Sequence, residues 1–469
     1  MSPEMLSRFK FALVVFVLLG TVTACPMVCA GPPHVDNRDG LKHQPKNVII
    51  LIADGCGFNH VKAADYYQCG LIPCQLYEDF PVQLAMSTYP SGWHYDPNSV
   101  WASFDYVREN ATDSAAAATA IATGVKTFNQ GIGVDVNSVR VPNIVEQAEK
   151  LGKATGVITS VPFSHATPAA FVAHTPDRDN FGEIARQMVF ESAVDVVMGC
   201  GHPLYDNNGG YRRPGNLTYI GGETLWMGLM RHTAGGDADG DGVPDLWQLI
   251  QTRLEFQTLM TGDTPKRVFG VPQVYETLQE YRSGSASAPP YAVPLTQTVP
   301  TLEEMTRGAI NVLDDDPDGF FLMIEGGAVD WAAQSNRSGR LIEEMVGFNK
   351  SVDAVLAWVE QNSNWGETLL IVTADHESGY LTGPGSGQKP TGPVWNDVVN
   401  YGEANMPGME WHTGGHTNSL VPFFAKGRGA KLFKETIDGN DPVRGPYIDN
   451  TDIANTIFAL WREQPAGSE

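Results

Sequence analysis

Five mostly apolar runs punctuate the chain, at residues 47–53, 154–160, 193–198, 319–324 and 368–373. Short runs without polar alternation predict strands buried on both faces. Segments with helical spacing of apolar positions lie between them, at residues 143–151, 181–189, 301–313 and 339–359. Thr301 and Glu304 open the third of these with the spacing of a capping box, in which two orphan N–H groups are satisfied reciprocally. Strands alternating with helices predict an α/β fold, a large and mostly parallel central sheet with helices on both faces. In such sheets ligands bind outside the carboxyl ends of the strands. Polar residues come after four of the runs at those ends: Asp54, residues 160–167, Glu325 and Asp375.

The pattern is interrupted over about residues 205–300, a Gly-, Pro- and Ser-containing stretch read as an insertion on the rim of the sheet, with a flexible loop at 283–294. The expected organisation is a leader over residues 1–30, a polar lead over 31–46, and one domain over 47–465 that holds the insertion. At 469 residues, with 42% hydrophobic and 18% charged, the chain has ample material for such a core. Its formal charge of −23 argues against nucleic acid or an anionic membrane as partner, because both would repel it.

In the leader, Arg8 and Lys10 precede an apolar run at residues 11–20, too short to span a bilayer. Two processing readings stay open. Val22-Thr23-Ala24 before Cys25 resembles a lipoprotein box, with the lipid on Cys25; Val28-Cys29-Ala30 is the end of an ordinary signal peptide. Both imply export, to a periplasmic or extracellular place, with membrane contact only through a lipid on Cys25. Cys56, Cys69, Cys74 and Cys200 then meet an oxidising compartment. Cys69 and Cys74 are close enough in sequence to close a small disulfide loop, and Cys56 and Cys200 read as free buried thiols.

An Asp before Gly at a strand end is often only a turn former. The joint appearance of Asp54, Glu325, Asp330, Asp375, His376 and His416 asks for more. Mixed Asp/His ligation without thiolate suits zinc in a catalytic site, and an all-oxygen neighbour suits magnesium. Residues 111–120 form an Ala-rich helix whose opening carries Thr112, Asp113 and Ser114. Read plainly, this is a good N-cap. Read functionally, Ser114 sits at a helix N-terminus, where free N–H groups and the dipole favour an alkoxide or a phosphate. A serine hydroxyl needs a base or a metal to ionise it. With no G-x-S-x-G elbow present, a cation is the better candidate.

Strand-Asp54-Gly55, Thr112-Asp113-Ser114-Ala115-Ala116, His165-Ala166-Thr167-Pro168, Glu325-Gly326-Gly327-Ala328-Val329-Asp330, Ala374-Asp375-His376 and Gly415-His416-Thr417 resemble, in order, the motifs of the alkaline phosphatase family. The resemblance runs from about residue 47 to near Leu460, the insertion excepted. It implies hydrolysis of small phosphate monoesters through a phosphoserine on Ser114. It implies zinc held by Asp54, Asp375 and His376 to ionise Ser114, and a second zinc held by Asp330 and His416 to stabilise the leaving oxygen and supply hydroxide. It places magnesium at Asp54, Thr167 and Glu325, gives His165 as a variant near that site that can admit zinc, and implies a homodimer. Arg178, eleven residues after Thr167, stands at the interval of the arginine that clamps the non-bridging phosphate oxygens.

One position departs from the family. Four residues after Asp330 the pattern has His, and here stands Gln334, a neutral and weaker zinc ligand. The site then binds zinc less tightly, prefers another metal, or recruits a substitute such as His412. A phosphodiesterase, phosphonate hydrolase or sulfatase of the same fold is an alternative, although the sulfatase C-x-P-x-R signature is absent. A phosphate-binding homologue weakened by Gln334 is another. Separately, Asp237, Asp239, Asp241, Gly242 and Asp245 match the start of a calcium loop, with Gln248 where a bidentate Glu is expected, against the plain reading of a solvated acidic turn.

Overall fold

The computed structural model describes residues 44–462, so the leader, both processing readings and Cys25 lie outside the described residues. The strands are β1 (Asn47–Ile52), β2 (Val82–Ser87), β3 (Ala154–Pro162), β4 (Val196–Cys200), β5 (Gln248–Ile250), β6 (Val268–Gly270), β7 (Phe320–Glu325) and β8 (Thr368–Thr373). With Val421–Gly427, Gly439–Asp441 and Gly445–Asp449 they form an eleven-stranded sheet. Its order is Gly439–Asp441, Gly445–Asp449, β2, Val421–Gly427, β8, β1, β7, β3, β4, β6, β5. From β8 to β5 every pairing is parallel. Val421–Gly427 runs antiparallel between β2 and β8.

Each of the five apolar runs gives a strand, and β1, β7 and β8 are buried along their whole length. Burying one Val, Leu or Ile contributes roughly 1.5–3 kcal/mol, so these strands anchor the sheet's centre. The run at 193–198 starts late: its strand begins at Val196, and Asp195 just before it accepts a hydrogen bond on its carboxylate from Thr155 N at 2.8 Å. The expected helices form as Ile144–Lys150, Phe181–Phe190, Leu302–Leu313 and Ser338–Asn362. Thr301 caps the third, with Glu304 completing the box.

Residues 205–300 extend the sheet: β5 and β6 are its last two strands on that side. Residues 283–294 take no regular structure, yet their ends are tied by the buried Arg282, whose guanidinium donates to the carbonyls of Gln279, Val293 and Pro294. Cys69 and Cys74 form a disulfide at the end of the helix Phe58–Cys69, and Cys56 and Cys200 are free and buried. No helix among the described residues is long and apolar enough to cross a membrane.

Candidate active site

The central strands β8, β1, β7 and β3 are neighbours, so the residues at and just past their carboxyl ends are brought together. Asp54 lies two residues past β1, Glu325 ends β7, and Asp375 and His376 come directly after β8 and one intervening alanine. Gly55 makes this convergence possible. Its φ is +72°, and a Cβ there would fall 2.8 Å from the Cα of Asp330; only glycine lets the two segments approach so closely.

Asp54, Asp375 and His376 offer one ligand atom each within 4.8 Å of one another, and all three are buried. Asp375 Oδ1 accepts from the backbone N–H groups of Gly55, at 3.1 Å, and of His376, at 2.8 Å, which aims its other oxygen inward. His376 Nε2 lies 3.4 Å from Asp54 Oδ1, 3.3 Å from Asp375 Oδ2 and 3.2 Å from Ser114 Oγ. Burial, with the neighbouring His416, holds His376 well below the usual imidazole range, so the ring is neutral. Burial first, then Asp375, Asp330 and Glu325, holds Asp54 well above the usual carboxylate range.

Asp330, His376 and His416 form a second group within 4.8 Å. The short strand His416–Thr417 pairs antiparallel with Glu377–Ser378, His416 opposite Ser378, and this stacks the rings of His376 and His416 at 3.7 Å. His416 Nδ1 donates to the Thr112 carbonyl at 2.8 Å, which turns Nε2 toward Asp330; a metal-ligating His is oriented in this way by what its other nitrogen holds. Gln334 reaches the group. Its Nε2 donates to Asp330 Oδ2 at 2.9 Å and lies 2.6 Å from His416 Nε2. Ser378 Oγ donates to the other oxygen of Asp330. His412 is no substitute ligand: its Nε2 hydrogen-bonds Thr382 Oγ1 at 2.7 Å and its ring packs edge-on to Phe104.

Thr159 pairs with Glu325 across β3 and β7 and donates its hydroxyl to Glu325 Oε2. Glu325 Oε1, Thr167 Oγ1 and both oxygens of Asp54 are buried without a hydrogen-bond partner. Burial pushes Glu325 up to about 7. Unpaired buried oxygens are costly unless a cation neutralises them. The donor set therefore fits divalent metals: Asp/His for one kind, all-oxygen for another. His165 belongs to neither group; its ring lies 5.6 Å edge-on from Trp331, and burial lowers it to about 3.

Ser114 is the first residue of the helix Ser114–Thr123, whose ten residues are all buried. The run of alanines has high helix propensity and little bulk, so it sits deep in the protein. Asp113 is the N-cap: Oδ1 accepts from Ala116 N at 2.9 Å, and Oδ2 accepts from Arg178 Nη1 at 3.1 Å. Arg178 is thereby held beside the nucleophile candidate. The sequence marked Asp113 only as a cap, and Thr159, Ser378 and the Thr112 carbonyl not at all.

In the acidic loop, Asp237, Asp239 and Asp245 lie within 4.8 Å of one another. Asp241 accepts from Val243 N instead, at 2.7 Å, and Gln248 begins β5. Lys266 Nζ already lies between two of the acids, 3.1 Å from Asp239 and 3.3 Å from Asp245.

A family model described as alkaline phosphatase matches residues 45–397. Alkaline phosphatase 4 of Bacillus subtilis is 30% identical, over 90% of each chain. The alkaline phosphatase of Escherichia coli is 29% identical, over 80% of this chain and 81% of its own. Among solved structures, that of alkaline phosphatase from the Antarctic bacterium TAB5 superposes with a TM-score of 0.60 at 26% identity, covering 90% of this chain and 99% of the other. A strand-end cluster of acids and imidazoles beside a serine that opens a helix, on this sheet and with these relatives, has one reading: the chain belongs to the alkaline phosphatase family.

Proposed function

We propose that the protein is an exported phosphate monoester hydrolase with Ser114 as nucleophile. Ser114 Oγ, as the alkoxide, forms a bond to phosphorus while the bond from phosphorus to the ester oxygen breaks. The electron pair leaves with the alcohol oxygen, and water later cleaves the phosphoserine. The observation that carries this is the placement of Ser114 Oγ 3.2 Å from His376 Nε2, with Asp54 and Asp375 around that same nitrogen. A neutral imidazole lone pair and two carboxylates facing one another repel unless a cation lies among them.

Zinc held by Asp54, Asp375 and His376 and by Asp330, His416 and Gln334, with magnesium held by Asp54, Thr167 and Glu325, supplies the positive charge that attacking and departing oxygens need. Two TAB5 variants in which a histidine is replaced by an acid have structures with magnesium bound in the M3 site, which favours magnesium among the metals. The chain's own residues do the rest. The N-terminus of the helix Ser114–Thr123 favours negative charge at Ser114. Arg178, with Asp113 engaging only Nη1, keeps N–H groups for the non-bridging oxygens of a dianion, as a monoester requires and a diester does not. The Cys69–Cys74 disulfide fits an oxidising compartment.

The test is Ser114→Ala with metal analysis alongside turnover of phenyl phosphate. The variant keeps its zinc and magnesium and loses about 10⁴-fold in kcat. Equal turnover in both proteins sinks the assignment, and faster cleavage of a diester or a sulfate ester by the wild type points to the other hydrolases of this fold. Phosphate binding without turnover points to the weakened homologue that Gln334 suggests.

A further inference from the structure

In a chain of formal charge −23, a cavity walled by arginines is unusual. One of about 400 Å³ opens between residues 280–286 and the start of the helix Ser338–Asn362. Arg282, Arg337 and Arg340 line it, together with Glu280, Tyr281 and Ser283. Arg282 and Arg340 share one carboxylate oxygen of Glu343, at 2.7 and 3.3 Å, and Arg337 Nη1 donates to Glu280 Oε1 at 2.7 Å. Three guanidinium groups against two carboxylates leave the wall with positive charge in excess. The adjacent Glu344 is pushed up to about 8, by burial first and then by Glu280 and Glu343, so it does not cancel that excess at neutral pH. Glu280 Oε2 is buried and has no hydrogen-bond partner.

Tyr281, on the cavity's lining, packs against the residue next to Asp330. Trp331 directly follows Asp330, and its ring lies between that of His165, at 5.6 Å, and that of Tyr281, at 5.1 Å. The Arg337 guanidinium stands 5.6 Å from the Tyr281 ring. An aromatic pair, Trp331 and Tyr281, thus links Asp330 to the arginine-lined cavity.

We propose that this cavity receives the alcohol portion of the substrate, and that the preferred substrates are phosphomonoesters of polyols carrying a second anionic group, a sugar bisphosphate being the simplest. The proposal rests on the phosphatase reading above. The N–H groups of Arg337 not given to Glu280 pair with the second anion, where charge-assisted bonds are strongest. The exposed Ser283 hydroxyl takes a hydroxyl group of the polyol.

The test compares kcat/KM for fructose 1,6-bisphosphate and for phenyl phosphate in wild type, Arg337→Gln and Ser283→Asp. Arg337→Gln loses about tenfold more on the bisphosphate than on phenyl phosphate, mostly through KM, as expected for one charge-assisted contact. Ser283→Asp, a change at an exposed residue outside the ion pairs, shifts the ratio the same way and keeps the test open should the first variant not fold. Equal losses on both substrates, or none in Ser283→Asp, overturn the cavity assignment alone. No turnover of phenyl phosphate by the wild type overturns the phosphatase reading itself.

Discussion

The two cation groups are built from the same kinds of side chain and differ in what else those side chains hold. In the first, Asp54 and Asp375 are completely buried, and Asp54 has neither oxygen in a hydrogen bond. In the second, both oxygens of Asp330 already accept hydrogen bonds, from Ser378 and from Gln334, and His416 is partly exposed. Two buried carboxylates that keep three oxygens out of hydrogen bonds bind a divalent cation more strongly than one fully engaged carboxylate beside a neutral amide. On the proposed roles, the charge lies mostly on the nucleophile's side, and the leaving-group side is the weaker.

Asp54→Ala strikes hardest at this asymmetry. It removes a shared ligand of two proposed cations, and turnover falls about 10³-fold or more while second-group metal is retained; atomic absorption with a monoester assay checks this. Loss of all metals at once would show that the two groups are one unit. Removing metal altogether gives the next effect in size. Asp54 and Glu325 have folded-state pKa values raised above their unfolded ones, Glu325 to about 7. For raised acids the folded state binds more protons, so their stabilising share is complete below about pH 4 and lost as pH rises through 7. The chelated protein therefore melts several degrees lower at pH 8 than at pH 5, and bound zinc and magnesium cancel most of that slope; calorimetry at both pH values reads it.

Gln334→His probes the weaker group directly. An imidazole there tightens zinc at the second group about tenfold, read by competition with a chelator, and leaves the first group's affinity as it was. Equal occupancy in both proteins would mean that the amide oxygen ligates as well as an imidazole. The least change belongs to the distant acidic loop. We propose that Asp237, Asp239 and Asp245 bind calcium in competition with Lys266, an exposed ion pair worth no more than about 1 kcal/mol. Lys266→Ala then gains a degree or two of calcium-dependent stability by calorimetry, and the wild type gains less.

How legible these regions were depends on their physics. Strands buried on both faces have no choice but to be apolar, so β1, β3, β7 and β8 are plain in the sequence, and the acids that interrupt them at the ends of β1, β7 and β8 stand out for the same reason. β2 carries an exposed Gln83, Val421–Gly427 contains Pro422 and Lys426, and β5 and β6 have three residues each. None of these has a period long enough to read. Motif order brought Ser114, Asp375, His376 and His416 to one place. The contacts that fix their orientation were not readable: the Ser378 hydroxyl on Asp330 and the Asp113–Arg178 pair join distant segments through space.

The Thr112 carbonyl ties His416 to the chain two residues ahead of Ser114. Whatever tilts the entrance to the helix Ser114–Thr123 also swings that imidazole, so on the proposed roles attack and departure shift together. Mutations near residue 112 should consequently produce enzymes that fail at both ends of the displacement together.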